Sequence, residues 1–423
     1  MTEQTEVVIV GAGQAGIAMS EHLSAHRVPH LVLERDRIAE RWRTGRWDSL
    51  VTNGPAWHDR FPGREFDIAP DAFATKDEVT DYFVAYARRL DAPIRTGVEV
   101  TSVRKNHGRS GFHVETSDGA IESRYVVAAT GPFQKPIIPR VVPQSAGIEQ
   151  LHSLFYRNPQ QLPPGATLVV GSGSSGVQIA DELRRSGRDV YLAVGPHERP
   201  PRRYRGYDFV WWLGVLGKWD AATPAAGAEH VSIAVSGVDG GNTVDLRDLA
   251  ADGITLVGKA ESFDNPILRF APDLRQNIEA SDASYLSMLA EADAFVTRTG
   301  MDLPGEPQAH ILGPDPDCVT NPLLELDLTA AGVTSIIWAT GYALDYGWLQ
   351  VDAFDTSGKP KHQRGISSEP GVYFLGLPWL SRRGSSFIWG VWHDAKYLAD
   401  QIMIQRSYLA HEPSGFTKSE VAR

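Results

Sequence analysis

The stretch Val7–Gly16, which reads VVIVGAGQAG, decides the fold. Its first four residues form an unbroken apolar run, which is typical of a strand in a parallel sheet covered on both faces. Gly11, Gly13 and Gly16 then give the spacing G-x-G-x-x-G, and a helical pattern follows through Leu23. The stretch therefore predicts a strand, a glycine-rich turn and a helix.

A second apolar strand, His30–Glu34, completes a βαβ unit, and Glu34 ends it 18 residues beyond Gly16. Glycines at this spacing let the backbone approach a pyrophosphate, whose charge the helix N-terminus stabilises. The acid accepts hydrogen bonds from an adenosine ribose. We therefore predict a dinucleotide site that suits FAD; a glycine-rich turn in an unrelated α/β fold is the alternative.

The same pattern returns 160 residues later. A strand at 167–170 leads into the glycine motif 171–176, a helix through Leu183, and a further strand at 189–194. Two such units at this separation predict two nucleotide-binding domains in one chain.

The second unit differs from the first at the end of its second strand. The first unit has Glu34 there, whereas in the second Val194 is followed by Gly195. A carboxylate there would repel the 2′-phosphate of NADPH, whereas arginines, which bind phosphate monoesters, follow within a few residues. We predict that Arg202 and Arg203 hold that phosphate and that NADPH is preferred to NADH. A solvated basic loop is the alternative interpretation.

The predicted fold class is α/β, with two doubly wound Rossmann-like dinucleotide-binding domains and the NADPH domain inserted into a discontinuous FAD domain. Proline-rich stretches at 132–143 and 159–165 mark the linker. We place the first part of the FAD domain at 1–160, the NADPH domain at 161–333, and the return of the FAD domain, with a C-terminal helix and tail, at 334–423.

The segment at about 204–303 is long for half of a Rossmann unit, so we predict that it adds a lid or a substrate wall. Trp211, Trp212 and Trp219 within it would either line an apolar pocket or fill core. The sequence alone leaves these two roles open.

Composition narrows the class of protein. The hydrophobic set is 42% and charged residues are 22%, which is typical of a soluble globular chain. No apolar run approaches the roughly 20 residues of a membrane span. The net charge of −11 disfavours nucleic acid as a partner. We expect neither a membrane nor a nucleic-acid partner, and no metal motif is present.

Cysteine use and the first residues bear on the compartment. Cys318 is the single cysteine, which excludes an internal disulfide, a redox-active dithiol and a thiolate zinc cluster. The opening residues are acidic, unlike a secretory signal. We therefore expect a cytoplasmic protein.

Two strands end alike, in Ala129-Thr130-Gly131 and Ala339-Thr340-Gly341. With both glycine motifs and the closing pattern from Gly376 through Ser386, they make the chain resemble the class B flavoprotein monooxygenases, which include flavin-containing monooxygenases, Baeyer–Villiger monooxygenases and the plant YUCCA enzymes. The resemblance runs from Val7 to about Ile404.

The resemblance implies an NADPH-dependent, FAD-containing monooxygenase. NADPH would reduce FAD, and oxygen would add at the flavin C4a carbon to give a hydroperoxide that bound NADP⁺ shields from water. That species would oxygenate a small organic substrate, at nitrogen or sulfur. O₂ and the substrate are the expected partners; the substrate's identity and a homodimer stay open.

The stretch Val51-Thr52-Asn53 resembles the Val-Thr-Asn segment of flavin-containing monooxygenases, whose asparagine lies beside the reactive edge of the flavin. Asn53 is accordingly our candidate catalytic residue. Glu40-Arg41-Trp42 resembles the segment that packs on the isoalloxazine. Without the resemblance, Asn53 would be interpreted as a turn former before Gly54 and Trp42 as core.

The family fingerprint ahead of the second glycine motif is matched in part. His152, Tyr156 and Arg157 fit its His-x-x-x-Tyr portion, with arginine for lysine, while Ala146 replaces its phenylalanine and Gly147 is one residue out of register. This favours heteroatom oxygenation over Baeyer–Villiger oxygenation of a ketone, and the fingerprint histidine is expected at the domain linker. An NADPH-dependent reductase or oxidase, and a nucleotide-sensing module without turnover, also stay open.

The candidate cofactor-binding residues come from the two motifs, the two strand ends and the closing pattern. They are Gly11, Gly13, Gln14, Ala15, Gly16, Glu34, Arg35, Arg41, Trp42, Val100, Ala129, Thr130, Gly131, Gly171, Ser172, Gly173, Ser174, Ser175, Gly176, Gln178, Arg202, Arg203, Ala339, Thr340, Gly341, Tyr342, Arg383, Ser385 and Ser386.

Overall fold

A computed structural model describes residues 2–106, 108, 110–222, 224 and 232–411. The α-helices in these residues are α1 Gln14–Ala25, α2 Glu40–Thr44, α3 Lys76–Arg89, α4 Ser174–Arg185, α5 Phe209–Val215, α6 Leu246–Ala251, α7 Leu274–Thr299, α8 Asp317–Thr320 and α9 Ile388–Leu409. None of the described helices is long and apolar enough to cross a membrane.

The strands up to the second glycine motif are β1 Glu3–Val10, β2 His30–Glu34, β3 Ile94–Thr96, β4 Val100–Lys105, β5 Phe112–Thr116, β6 Gly119–Ala128, β7 Lys135–Pro136, β8 Glu149–His152 and β9 Ala166–Val170. Those beyond it are β10 Val190–Ala193, β11 His197–Glu198, β12 Arg203–Tyr204, β13 Tyr207–Asp208, β14 Ser232–Ile233, β15 Ile254–Val257, β16 Ala260–Asp264, β17 Ile267–Phe270, β18 Glu325–Asp327, β19 Val333–Trp338, β20 Tyr342–Ala343, β21 His362–Gln363, β22 Ile366–Ser367 and β23 Val372–Phe374.

Two sheets organise the chain, and each contains five parallel strands side by side. Four of the five follow the same chain order, whereas the fifth is β23, late in the chain, in the first sheet and β8, ahead of the glycine motif, in the second. In the first, β3, β2, β1, β6 and β23 lie side by side in parallel. In the second, β15, β10, β9, β19 and β8 do the same. In each sheet a glycine motif joins the central strand to a helix, which confirms the predicted two-domain α/β fold.

The strand pairings shift the predicted domain boundaries. Strand β8 precedes residue 161 and strand β19 reaches Trp338, yet both belong to the second sheet. The prediction that the first domain returns at about 334 is therefore wrong for β19. The reason is that the second Ala-Thr-Gly sequence, Ala339–Gly341, ends a strand of the second sheet. The first sheet is rejoined only by the chain beyond it, through β21 to β23.

The segment at 204–303 is not one added element. Its strand β15 is an edge strand of the second sheet, which corrects the prediction of a separate wall over the whole range. Helix α5 and the later turns of α7 form a separate hydrophobic cluster, whereas the first turns of α7 pack against the core of the second sheet. Trp212 and Trp219 are buried in this cluster, so they fill core, and Trp211 stacks on Tyr207 with ring centroids 4.0 Å apart.

The helices that follow the glycine motifs begin differently from an ordinary surface helix. Helix α3 begins with a capping box, in which Thr75 and Glu78 satisfy each other's backbone N–H groups. Helices α1 and α4 begin at Gly13 and Gly173 with no side-chain cap and no acidic residue in the first turn. Their first N–H groups are therefore left to bind an external anion.

Candidate functional site

A cleft of about 650 Å³ opens at the first glycine motif, along the carboxyl ends of β1 and β2. This is the edge where open α/β sheets bind ligands. Predicted cofactor residues from six separate runs of the sequence meet in its lining: Gly11, Gly13, Gln14, Ala15, Glu34, Arg35, Arg41, Trp42, Val100, Ala129, Thr130, Gly131 and Ser386.

The glycines of this motif have separable roles. A Cβ on Gly16 would lie 1.9 Å from the Gly11 carbonyl oxygen, so Gly16 serves the close packing of helix on strand. Gly11 has φ +106° and would place a Cβ 2.8 Å from the Ala129 carbonyl oxygen. A Cβ on Gly13 would meet nothing within 4 Å and would project into open space. Gly13 thus leaves its backbone open to a ligand in the cleft.

Glu34 ties the motif to the end of β2. One carboxylate oxygen accepts the backbone N–H of Ala12 at 2.8 Å and the other accepts that of Asp36 at 3.0 Å. Each oxygen retains acceptor capacity beyond these bonds, and the side chain lines the cleft. The residue is therefore placed to accept hydrogen bonds from ribose hydroxyls. The open glycine backbone, uncapped helix and acid fit the adenosine diphosphate part of FAD.

The far side of the cleft joins the first domain to the closing pattern. The Gln14 side chain donates to the Ser386 carbonyl oxygen at 2.9 Å, and Trp42 Nε1 lies 3.3 Å from Gln14 Oε1. A ring in the cleft would therefore be bounded by an indole and an amide from distant parts of the chain.

Arg46 is a cleft residue that sequence reasoning missed. Its guanidinium lies 4.6 Å from the ring centroid of Phe133 and 5.3 Å from that of Trp42. Burial lowers its pKa from the ordinary arginine value. Its position four residues after Trp42 is the signal that could have found it. A cation partly removed from water in this place can bind a phosphate or a carbonyl oxygen.

Two residues of the closing pattern do not line the cleft, although both were predicted to bind cofactor. Ser385 is fully buried, and its hydroxyl accepts the backbone N–H groups of Ser381 and Arg382 at 3.0 and 3.1 Å. Arg383 pairs with Glu198 at 3.2 Å. Ser385 therefore shapes the turn that carries Ser386.

The second glycine motif repeats the backbone of the first. Gly171 has φ +112°, and a Cβ on it would lie 2.5 Å from the Ala339 carbonyl oxygen. A Cβ on Gly176 would lie 1.7 Å from the Gly171 carbonyl oxygen. Above Gly173, however, Ser232 Cβ lies 3.3 Å from the place of a Cβ. The motif therefore has the dinucleotide backbone with less room above it.

The serines of the second motif are partly engaged by the chain. Ser172 Oγ donates to the Gly195 carbonyl oxygen at 3.0 Å, and Ser174 Oγ donates to that of Ile233 at 2.6 Å. Ser175 is half-buried in the first turn of α4. The backbone N–H groups of this turn are the part of the motif that remains for a phosphate.

The assignment of Arg202 to a 2′-phosphate is wrong in this structure. Only 2% of the residue is exposed, and its guanidinium pairs with Asp208 at 2.5 Å between the rings of Phe73 and Phe209. A buried, paired guanidinium is costly to withdraw from its partner. Arg203 differs, because it is exposed and its guanidinium donates to the carbonyl oxygens of Gly240 and Gly241.

Asn53 lies where the two dinucleotide units meet. Its side-chain oxygen accepts a hydrogen bond from Gln178 Nε2 at 3.0 Å, and its backbone carbonyl accepts one from Arg202 Nη1 at 2.7 Å. Gln178 is buried, and its Nε2 is engaged by Asn53 and by the Val235 carbonyl oxygen. Three predicted site residues thus come together, in a different arrangement from the one expected.

The loop of Asn53 leads towards the closing pattern through residues that sequence reasoning missed. Asp59 accepts the Gly54 N–H at 3.1 Å and bonds His58 Nδ1 at 2.8 Å. The His58 ring stacks on Trp219, with centroids 5.2 Å apart, and meets Trp389 edge-on. Nothing in the local sequence pattern marks this pair, because its partners are distant in the chain.

The remaining predicted residues lie at the linker. His152 is buried: Nδ1 accepts the Leu154 N–H, and Nε2 bonds the Gly341 carbonyl oxygen at 2.9 Å. Burial lowers its pKa. Thr340 bonds the Ile137 carbonyl oxygen, and Tyr342 packs edge-on against the His152 ring. The histidine therefore joins the end of β8 to the turn that follows β19.

A smaller depression of about 300 Å³ lies along α4, away from its N-terminus. Four aspartates are among the residues that line it: Asp181, Asp245, Asp248 and Asp252. Carboxylates repel phosphate groups, so this depression is a poor site for a dinucleotide.

Comparison with known proteins bears on the family and the fold. Residues 8–206 match the family described as pyridine nucleotide-disulphide oxidoreductase. Because Cys318 is the single cysteine, this chain lacks the dithiol for disulfide reduction. A flavin-containing monooxygenase from Stenotrophomonas maltophilia shares the fold, with a TM-score of 0.66 at 18% identity over 97% of this chain and 100% of that one.

Two relatives extend over nearly the whole chain. An uncharacterized CzcO-like oxidoreductase from Geobacillus kaustophilus is 34% identical over 95% of this chain and 99% of its own length. The probable indole-3-pyruvate monooxygenase YUCCA4 of Arabidopsis thaliana is 26% identical over 94% of this chain and 90% of its own. The chain therefore belongs to the class B flavoprotein monooxygenase family.

Proposed function

We propose that the protein is an NADPH-dependent, FAD-containing monooxygenase that oxygenates a small organic molecule at nitrogen or sulfur. In the net reaction, one atom of O₂ would join the substrate and the other would leave as water, with NADPH oxidised to NADP⁺ and one proton taken from solvent. The carrying observation is the cleft at the first glycine motif, where Glu34, the open backbone of Gly13 and the uncapped helix α1 converge.

Membership of the family implies an enzyme with flavin and nicotinamide cofactors. FAD would be held by Gly13 and the first turn of α1 at its pyrophosphate, and by Glu34 at its ribose. Trp42 and Gln14 would bound its ring. When bound, the flavin would supply the two-electron chemistry that couples a nicotinamide to oxygen. The chain itself would supply position, charge and exclusion of water.

Charge in the cleft supports this division of work. Arg41 and Arg46 both line it, and burial lowers the pKa of each from the ordinary arginine value. Guanidinium groups in a partly dry site stabilise developing negative charge more strongly than they would in water. These two residues would thus stabilise the negative charge that develops when oxygen is reduced.

The preference for nitrogen or sulfur rests on the fingerprint segment. Tyr156, where Baeyer–Villiger members carry tryptophan, is buried and donates to Glu182 at 2.7 Å. Arg157 donates to the Thr44 carbonyl oxygen, next to the cleft. The segment therefore anchors the second domain to the cleft wall.

NADPH as reductant is supported by the second motif. Its uncapped helix α4 is free of acidic residues in the first turn, and no acid directly follows the strand that ends near Val194. With Arg202 withdrawn into its ion pair, Arg203 is the remaining candidate for the 2′-phosphate.

The test is a screen of amines, sulfides and ketones with the purified yellow protein. We expect NADPH consumption to depend on added amine or sulfide, with a product heavier by one oxygen atom and little hydrogen peroxide. Lactone or ester products from ketones alone would favour the Baeyer–Villiger alternative. Substrate-independent NADPH consumption with stoichiometric peroxide would favour a reductase or oxidase.

A further inference from the structure

Gln178 and Asn53 meet across the boundary between the two dinucleotide units. Gln178 lies in the second turn of α4, the helix that begins at the second glycine motif, and only 7% of it is exposed. Asn53 follows the Val-Thr pair in the first unit. Their side chains are joined by one hydrogen bond of 3.0 Å.

A carbonyl group fixes which way the Gln178 amide points. Its Nε2 lies 2.6 Å from the Val235 carbonyl oxygen, and a carbonyl can only accept a hydrogen bond. The amide nitrogen must therefore face Val235, since an oxygen there would repel the carbonyl. Amide oxygen and nitrogen positions are assigned from such networks, and this one has a single consistent solution.

The direction of Gln178 then dictates the direction of Asn53. The second N–H of Gln178 needs an acceptor, so Asn53 must present Oδ1 to it. Turned the other way, two NH₂ groups would face each other. Asn53 Nδ2 consequently points away from Gln178, and within the residues that the structure describes it has no hydrogen-bond acceptor.

The backbone of Asn53 is fixed as firmly as its side chain. Its carbonyl oxygen accepts from Arg202 Nη1 at 2.7 Å, and that guanidinium also pairs with Asp208. The ring centroids of Phe73 and Phe209 lie 4.5 and 4.7 Å from the central guanidinium carbon of Arg202. Because its carbonyl oxygen and Oδ1 both accept hydrogen bonds from the chain, Asn53 has Nδ2 left to donate to a ligand.

We propose that Gln178 is a positioning residue that makes Asn53 a one-sided hydrogen-bond donor, whose Nδ2 binds an acceptor oxygen of the nicotinamide nucleotide. The inference rests on the proposed function for the identity of that ligand. It changes the role of Asn53 from a group that could donate or accept to one that donates only.

Substitutions at Gln178 separate orientation from packing. Gln178→Glu removes both donors, so the carboxylate would draw Asn53 Nδ2 towards itself and leave Oδ1 facing the ligand. Gln178→Lys keeps donors for Val235 and Asn53 at similar side-chain length, so the orientation of Asn53 would survive. A purely structural role would make both substitutions costly, because each introduces a charge at a buried position.

Selective labelling reads the orientation directly. The chain has seven asparagines, so ¹⁵N-asparagine labelling gives seven side-chain NH₂ signals, of which Asn53→Asp removes the one to be followed. We expect NADP⁺ to move this signal in the wild-type protein and in Gln178→Lys. In Gln178→Glu the signal should be displaced before addition and should no longer respond to NADP⁺.

Binding and coupling supply a second readout. The NADP⁺ dissociation constant should rise about tenfold in Gln178→Glu and in Asn53→Asp, and stay within about twofold in Gln178→Lys. Ser49→Ala is the matched control, because Ser49 Oγ bonds Glu182 on the same helix at 2.6 Å without touching Asn53. It should leave both the signal and the dissociation constant unchanged.

The proposal is overturned if the Glu and Lys variants weaken NADP⁺ binding equally, or if the Asn53 signal responds to NADP⁺ normally in Gln178→Glu. An unresponsive Asn53 signal in the wild-type holoenzyme, where NADP⁺ binding is shown by calorimetry, overturns it as well. A wild-type protein that gives the expected signals but oxygenates no amine or sulfide would reject the proposed function and leave the orientation of Asn53 supported.

Discussion

The two glycine motifs of this chain share a backbone and differ in what surrounds it. Gly11 and Gly171 have φ values of +106° and +112°, and each packs its Cα against the carbonyl of an Ala-Thr-Gly strand end. Above the middle glycines the resemblance stops, because Gly13 faces open space and Gly173 faces Ser232. The backbone is thus repeated, while the chain around it decides what each copy can hold.

Equivalent positions, 160 residues apart, show how the copies were specialised. Glu34 at the end of β2 corresponds to Val194, so the first motif has a carboxylate at this place and the second does not. His22 on α1 corresponds to Glu182 on α4, and these two side chains tie their helices to different neighbours. Ligand choice in this fold is therefore set by side chains at strand ends and by inserted segments.

The largest expected effect comes from filling the middle glycines. Gly13→Val should give a folded but colourless protein, because φ is −82° there and the new side chain would occupy the pyrophosphate position. Gly173→Val should remain yellow and lose reduction by NADPH. Flavin content by absorbance and anaerobic reduction by NADPH check the pair. A fully yellow Gly13→Val protein would show that the first motif does not bind FAD.

Asn53→Ala should remove the hydrogen bond between Asn53 and Gln178 without preventing either glycine motif from binding its cofactor. FAD should stay bound, and saturating NADPH should still reduce it at nearly the normal rate, because the amide contributes to nucleotide affinity and not to the transfer of the hydride. Loss of one hydrogen bond in a dry site, about 1–3 kcal/mol, should shift product towards hydrogen peroxide by roughly ten- to a hundredfold. Product and peroxide are measured per NADPH consumed; unchanged coupling would return Asn53 to the role of a turn residue.

The fold was predictable because the deciding signals are local. Strand, glycine turn, helix and acid lie within Val7–Glu34, and the strands and helices that this pattern predicts are present in the structure. The boundary at 334 was not predictable in this way. Strand β19 is largely buried, like the central strands of both sheets, and only its pairing with β8 and β9 shows where it belongs.

The arginines near the second glycine motif show what residue spacing alone cannot predict. Four arginines follow Val194, and sequence cannot tell a phosphate ligand from a buried partner of aspartate. Arg199 pairs with Asp282, 83 residues away, and Arg205 with Asp293. The Asn53 contact with Gln178 spans 125 residues. Partners at such separations leave no periodic trace in a single sequence.

A smaller effect concerns the pH dependence of stability that His22 on α1 causes; its counterpart on α4 is Glu182. Burial is the main cause that lowers the pKa of His22 to about 4, whereas the unfolded chain titrates near 6.5. Between these values the unfolded state binds the proton and the native state does not, so stability falls as pH falls from 6.5 towards 4. At pH 5 the loss is about 2 kcal/mol relative to neutral pH.

His22→Gln keeps a donor for the Trp392 carbonyl oxygen and removes the titrating group. Urea unfolding at pH 7.5 and pH 5 should show a shallower pH dependence in this variant, with part of the slope retained because burial also lowers the pKa of His152. His411→Gln, at an exposed position, is the control and should match the wild-type slope. An unchanged slope in His22→Gln would show that His22 is not the group responsible.

The smallest expected effect concerns Arg203, the exposed arginine that remains available to the second motif. It bonds two carbonyl oxygens, those of Gly240 and Gly241, which a phosphate monoester could displace at little cost. A charge-assisted contact to a phosphate is worth about 1.5 kcal/mol at an exposed position, which is roughly tenfold. Arg203→Ala should therefore raise the KM for NADPH about tenfold and leave that for NADH unchanged, because NADH lacks the 2′-phosphate. Arg298→Ala, which removes an exposed arginine from α7, should change neither KM. Equal losses with NADPH and NADH would place Arg203 outside the phosphate site.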